Sequence, residues 1–149
     1  MKPVSQAAFI VLLAMVAAAV SWVVMPPQDR AECEPTKIRQ DEICLHAIPE
    51  GREVLWIDAR SRTEWKKNGL PDSILWNFDA SEDFSLMEAE AVMKIFNRPY
   101  VVIYCADKGC GTSRKIAEHI TNKLQLNAEV HILHDGWLAL RAAGMVPGS

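Results

Sequence analysis

Glycine and proline are scarce, seven and eight residues in 149, so the chain is neither collagen-like nor a low-complexity coil. Cysteine is limited to four, too few for a disulfide scaffold and enough for one reactive site. Positive charge is in deficit, with 16 basic against 19 acidic side chains and a formal net charge of −3. No global basic field therefore exists to hold nucleic acid, which is not expected as a partner. No C-x2-C pair and no histidine at ligand spacing is present, so no metal site is expected. Internal repeats are absent too. What the chain does have is hydrophobic residues, half of the total, and length for one domain plus a modest extra segment.

The apolar residues are concentrated at the start. Ala7 to Met25 reads AAFIVLLAMVAAAVSWVVM, with one Ser and no charge, Gly or Pro. As a helix it would be about 28 Å long, close to the hydrocarbon thickness of a bilayer. Trp22 sits near one end, where an indole suits the headgroup region, and Pro26-Pro27 stop the helix. A single N-terminal transmembrane helix over residues 1–25 is the expectation. A cleaved signal peptide is the alternative, since Lys2 gives a charged start and Ala17-Ala18-Ala19 offers a peptidase site. Against cleavage, the apolar run continues through Val20, Trp22, Val23 and Val24. Lys2 favours an N-terminus inside, although Arg30, Lys37 and Arg39 outnumber it on the far flank. The short tail before the run fits an N-in anchor with the domain on the non-cytoplasmic, periplasmic side, or a secreted periplasmic domain if the signal is cleaved. Residues 26–36 (PPQDRAECEPT) read as a tether, and 37–149 as the folded domain.

Within that domain short apolar runs alternate with helical patterns. Ile38 to Ile48 is read as a short helix, and Val54 to Ile57 as a buried strand. Ser61 and Glu64 have capping-box spacing and open a helix through about Lys67. Ile74 to Trp76 is a second strand. Ser85 and Glu88 repeat the capping signal, with Leu86, Ala89, Val92, Met93 and Phe96 at helical period behind them. Tyr100 to Tyr104 is the strongest strand, followed by a Gly-bearing loop and a helix from about Thr112 to Gln125, with Ile116, Ala117, Ile120 and Leu124 on one face. Val130 to Leu133 is the last strand, and Asp135-Gly136 turns into a helix from Trp137 to Ala143. Strands alternating with helices predict an α/β domain with a parallel sheet covered on both faces.

Ligands of open parallel sheets gather outside the carboxyl ends of the strands. Asp58 and Cys105 fall there. A cysteine that leaves a buried strand for a Gly-containing loop feeding a helix meets free backbone N–H groups, which favour the thiolate. Lys108 adds positive charge, and Arg114 is a candidate for more. The plain alternative is an inert buried thiol. Small and charged residues in CADKGCG favour the reactive reading.

Four blocks then resemble one family: VLWIDARSRTEW (Val54–Trp65), NGLPDS (Asn68–Ser73), VVIYCADKGCGTSRKIAEHI (Val101–Ile120) and ILHDGWLALRAAGM (Ile132–Met145). In this order they are similar to a rhodanese homology domain, over roughly residues 37–147. The resemblance implies a five-stranded parallel sheet with helices on both faces. It also implies sulfur transfer, in which Cys105 takes sulfur from a sulfane-sulfur donor as a persulfide. The outer sulfur then passes to a thiol acceptor, small molecule or protein, and no cofactor takes part. Cys105 is the implied catalytic residue, and Ala106, Asp107, Lys108, Gly109, Cys110, Gly111 and Thr112 form the implied active-site loop. Asp58 and Arg60 are read as structural support of the strand end.

The sequence departs from the family pattern in that loop and nearby. Leu70 stands where the family often has His, no Arg closes the loop before Ser113, and Cys110 adds a second thiol. The Cys-x4-Cys-x2-Ser loop resembles a divergent bacterial subset, often membrane-linked. Cys110 is close enough to resolve a persulfide or sulfenate as a disulfide, or is a small loop residue only. Cys33 and Cys44 offer a stabilising disulfide if the domain lies outside the cytoplasm. A cysteine phosphatase or arsenate reductase would need an Arg about six residues after its Cys, and Gly111 is there. A thiol–disulfide module using Cys105 and Cys110, and a catalytically silent partner-binding domain, remain as alternatives. His46, His119, His131 and His134 are expected on the surface or in packing, with His134 also a candidate for the site rim. Trp56, Trp76 and Trp137 are expected in the core, and Glu88 and Glu90 on a solvated helix start.

Overall fold

The computed structural model describes residues 33–147 apart from 107, 108 and 110. The expected membrane helix and most of the tether lie outside the described residues. Among those described, no helix is long and apolar enough to cross a membrane. The described residues belong to one compact unit.

Five strands form one sheet. They are β1 (Glu42–Ile43), β2 (Leu55–Asp58), β3 (Ile74–Leu75), β4 (Tyr100–Tyr104) and β5 (Glu129–Leu133). The order is β1-β5-β4-β2-β3 and every neighbouring pair is parallel. The helices are α1 (Arg62–Asn68), α2 (Phe84–Asn97), α3 (Gly111–Glu118) and α4 (Gly136–Ala142). β4 is central and buried at all five positions, as its unbroken YVVIY run requires of a strand covered on both faces.

The two-residue alternation of a strand divides the core. Val101, Ile103 and Cys105 join Leu55, Ile57, Trp76, Met87, Ala91, Ile95, Ile116 and Ile120 on the face covered by α2 and α3. Tyr100, Val102 and Tyr104 join Leu70, Trp137 and Leu140 on the face covered by α4. The expected three tryptophans of the core are there: Trp76 and Trp137 are buried, and Trp56 packs on the second cluster.

Local signals account for the helix starts. Ser61 accepts a hydrogen bond from the Glu64 N–H, and the Glu64 carboxylate accepts one from the Ser61 N–H, so α1 opens with both halves of a capping box. The second expected capping box does not form. Asp83, two residues before Ser85, caps α2 by accepting from the Leu86 N–H at 3.1 Å.

The inward face of α2 also differs from the periodic set. Met87, Ala91 and Ile95 are buried, while Leu86, Met93 and Phe96 are 68%, 70% and 77% exposed. Both sets have helical spacing, so period alone did not distinguish them. The expected helix over 38–48 is replaced by β1 and a single 3-10 turn, Leu45–Ala47. Glu42 and Ile43 pair with Ile132 and Leu133, and Cys44 is disulfide-bonded to Cys33, two tertiary constraints that override local helix preference.

The helix expected to reach Gln125 ends as α-helix at Glu118 and continues as a wider π turn, His119–Lys123. This turn seats His119 in the interior, against the rings of Trp76, Phe78 and Phe84. Its Nε2 pairs with the carboxylate of Glu88. Glu88 is therefore a partner of a buried imidazole and not merely a solvated helix residue.

Candidate functional site

The chain crosses to opposite sides of β4 on its way to β3 and β5, which places a switch point at the carboxyl ends of β2 and β4. In register, Asp58 faces Tyr104, and the Ala59 N–H donates to the Tyr104 carbonyl at 2.8 Å. Ala59 thus stands beside Cys105 at the mouth of the sheet.

Cys105 is held by its backbone. Its carbonyl accepts from the Trp137 N–H at 2.7 Å, and Gly136, at φ +50°, presses against it so closely that a Cβ there would lie 2.3 Å from that oxygen. The residue is 7% exposed, and it is disulfide-bonded. In this form its sulfur is neither thiolate nor persulfide. Of the expected loop, Ala106 and Gly109 are exposed, and Gly111 and Thr112 begin α3. Asp107, Lys108 and Cys110 lie outside the described residues.

Beneath the loop, Asp58 and Arg60 form a buried ion pair. Arg60 Nε donates to Asp58 Oδ1 at 3.0 Å and Nη2 to Oδ2 at 2.8 Å, and the Arg60 N–H adds a bond to Oδ1 at 2.9 Å. The guanidinium lies over the rings of Tyr104 and Trp137, 5.6 and 5.2 Å from their centroids. Burial opposes its charge, but the Asp58 hydrogen bonds and charge outweigh that and hold its pKa above the ordinary value. These partners engage all three nitrogens of Arg60's head group.

The NGLPDS turn is fixed to the same place. Arg60 Nη1 donates to Asn68 Oδ1 at 3.1 Å and Trp137 Nε1 to the Asn68 carbonyl at 2.9 Å. The Leu70 N–H donates to the Tyr104 hydroxyl at 3.0 Å, and that hydroxyl to Ser73 Oγ at 3.3 Å. Burial, reinforced by the Asp58 charge, pushes the Tyr104 phenol up to about 12. Leu70 is buried, so a core side chain occupies the position where a polar one was noted as usual.

Two candidates are directed elsewhere. Arg114 reaches Asp41 Oδ2 at 3.1 Å and Glu42 Oε1 at 3.5 Å, so it is committed to the β1 edge rather than to Cys105. His134 joins it, with Nδ1 2.8 Å from Glu42 Oε2. Sequence reading missed Gly136 and Tyr104, and also Asp79 and Lys115, which line a cavity with Ala59 and Arg60. Only Gly136 carried a local signal, the Asp-Gly pair directly after a strand.

Comparison with known proteins agrees with this architecture. Residues 43–143 match the family model of the rhodanese-like domain, and the chain belongs to that family. No relative is found among curated proteins. Among solved structures, the N-terminal domain of a protein from Clostridium difficile 630, described as ATP/GTP binding, is 16% identical with a TM-score of 0.53. That match covers 70% of this chain and 98% of the other. The BH2092 protein from Bacillus halodurans is 19% identical with a TM-score of 0.46, over 64% of each chain. The chain thus spans somewhat under two thirds of that protein's length. The likeness to the Clostridium difficile domain concerns the fold alone.

Proposed function

We propose that this chain is a membrane-anchored sulfurtransferase that carries sulfane sulfur on Cys105. The observation that supports it best is the position of Cys105 at the carboxyl end of the central strand, between Ala59 and Gly136, in a rhodanese-like domain. After reduction, the Cys105 thiolate attacks the outer sulfur of a donor such as thiosulfate. A new S–S bond forms, the donor's S–S bond breaks, and its electron pair leaves with sulfite. An acceptor thiolate then attacks the outer sulfur of the persulfide. The bond to Cys105 Sγ breaks, its electron pair stays on Cys105 as thiolate, and the sulfur leaves on the acceptor. Main-chain donors of the loop would stabilise the persulfide anion.

A specific observation favours a second reading, a thiol–disulfide module: Cys105 is disulfide-bonded. That module would use Cys110, which lies outside the described residues, as its second thiol. The Cys33–Cys44 disulfide also supports placing the domain on the non-cytoplasmic side, where such bonds persist, with residues 1–25 as its anchor.

The test treats the reduced full chain with thiosulfate or polysulfide and follows intact mass and peptide maps. The sulfurtransferase reading expects a gain of about 32 Da on Cys105, transfer to added thiol, and loss of both in Cys105→Ser. Cys110→Ser should reduce or redirect transfer. A Cys105 disulfide without the adduct supports the redox module, and neither product supports a partner-binding domain. Full turnover in Cys105→Ser would refute the proposal.

A further inference from the structure

An open cavity of about 370 Å³ lies at the ends of β2 and β3 and the start of α3. Ala59, whose N–H is bonded to the carbonyl of Tyr104, the residue before Cys105, forms part of its wall, with Ser61, Phe78, Asp79, Thr112 and Lys115 around the rest. The size suits a small ligand, and the charges decide which kind.

Two other lining residues, Arg60 and Asn77, are already committed. Arg60's guanidinium is bound by Asp58 and Asn68. The Asn77 side chain bridges the Arg60 carbonyl, 2.8 Å from its Nδ2, and the Asp79 N–H, 2.9 Å from its Oδ1. Lys115 is different: among the described residues its ammonium has no ion pair. Asp79 Oδ1 accepts from the Ser81 N–H and hydroxyl at 2.9 and 2.8 Å, while Oδ2 has no hydrogen bond among the described residues. Those bonds from Ser81 hold the Asp79 carboxyl below the usual range, so it stays anionic at neutral pH.

We infer that this cavity binds the acceptor thiol, and that the acceptor is a small zwitterion whose carboxylate meets Lys115 and whose ammonium meets Asp79. A free amino-acid thiol or a short peptide thiol has this chemistry. A neutral thiol gains from neither charge, and a purely anionic one is attracted by Lys115 but repelled by Asp79. Phe78, 44% exposed, gives the carbon skeleton an apolar wall. The Ala59 wall is bonded to the residue before Cys105, so a thiol held against that wall would be near the persulfide. The transfer is the acceptor step already written, with no further oxidant or reductant.

The inference rests on sulfur transfer through Cys105, and its test separates the two. Full chain in detergent, reduced and loaded with sulfur from thiosulfate, is assayed with L-cysteine, cysteamine, 3-mercaptopropionate and 2-mercaptoethanol. For each thiol the kcat/KM of a variant is divided by that of the native protein, which cancels the thiol's own reactivity. Lys115→Gln should lower this ratio about fivefold to tenfold more for L-cysteine and 3-mercaptopropionate than for cysteamine. Asp79→Asn should lower it by a similar factor more for L-cysteine and cysteamine than for 3-mercaptopropionate. Equal ratios across the four thiols overturn the inference while leaving sulfur transfer intact. If no thiol accepts sulfur, the transfer reading fails, and the cavity is judged by L-serine, which has the same charges without the thiol. Shifts of Asp79 and Lys115 resonances on adding L-serine, weakened in both variants, would sustain the zwitterion site, and no shift overturns it.

Discussion

Arg60 reaches back two residues to Asp58 and closes on its carboxylate with side-chain hydrogen bonds at 3.0, 3.3 and 2.8 Å, while only 3% and 0% of the two side chains remain exposed. A buried pair of this kind is costly to break, because the surviving charge is left without compensation. Asp58→Ala should therefore destabilise the domain by about 3–5 kcal/mol, read as a lower urea midpoint. Asp58→Leu combined with Arg60→Met should recover part of that loss, since the stranded guanidinium is gone. If Asp58→Asn instead abolishes sulfur transfer with no loss of stability, the pair touches substrate and is not a support.

Gly136 is the residue most intolerant of a side chain near Cys105. A Cβ there would meet the Cys105 carbonyl oxygen at 2.3 Å, its carbonyl carbon at 3.0 Å and its nitrogen at 3.2 Å. All three are backbone atoms, so the clash cannot be relieved by a rotamer change, and φ +50° adds strain of its own. Gly136→Ala should lower stability by about 1–3 kcal/mol. It should also slow alkylation of reduced Cys105 by iodoacetamide relative to the native protein. Native-like alkylation together with native stability would show that α4 does not position Cys105.

The contrast between β4 and α2 shows which parts of this fold were legible. YVVIY has one physical solution, a strand buried on both faces, and the structure has it at Tyr100–Tyr104. The Ser61–Glu64 capping box was equally decisive, because its two hydrogen bonds are local. In α2, by contrast, Leu86, Met93 and Phe96 form as good a stripe as Met87, Ala91 and Ile95, and only the packing of Trp76 and the neighbouring helix selects the second. β1 is two residues long, set by its pairing with β5 and by a disulfide, neither visible in a local window. The same holds at the site. Cys105, Asp58 and Arg60 could be placed by strand ends alone. Asp79 and Lys115 are brought together by tertiary structure, and no spacing joins them.

Tyr104 gives a pH test. Its phenol is raised to about 12 in the folded protein, against about 10 when unfolded. Below pH 10 both states keep the proton and the stabilisation is fully present. From pH 10 to 12 the unfolded chain releases the proton while the folded one holds it, so stability falls, by an amount on the order of 2–3 kcal/mol. Tyr104→Phe leaves the Leu70 N–H without its acceptor and should cost about 1–3 kcal/mol at pH 8. Because the variant lacks the phenol, the difference between the two proteins should narrow as pH rises from 10. Parallel stability curves across that window would show that Tyr104 titrates normally.

The two faces of α2 can be separated by paired substitutions one residue apart. Ile95 is 2% exposed and packs with Leu55, Ile57 and Trp76 in the first core cluster, whereas Phe96 is 77% exposed. Ile95→Ala removes buried methyl groups and leaves a cavity, for an expected cost of about 2–5 kcal/mol. Phe96→Ala removes a ring that is mostly in water already, so its effect should stay within about 0.5 kcal/mol. Urea midpoints of the two variants, taken at equal slope, measure the difference directly. Equal losses at both positions would mean that the outer stripe of Leu86, Met93 and Phe96 is covered in the folded protein, and that the helix is packed from both sides.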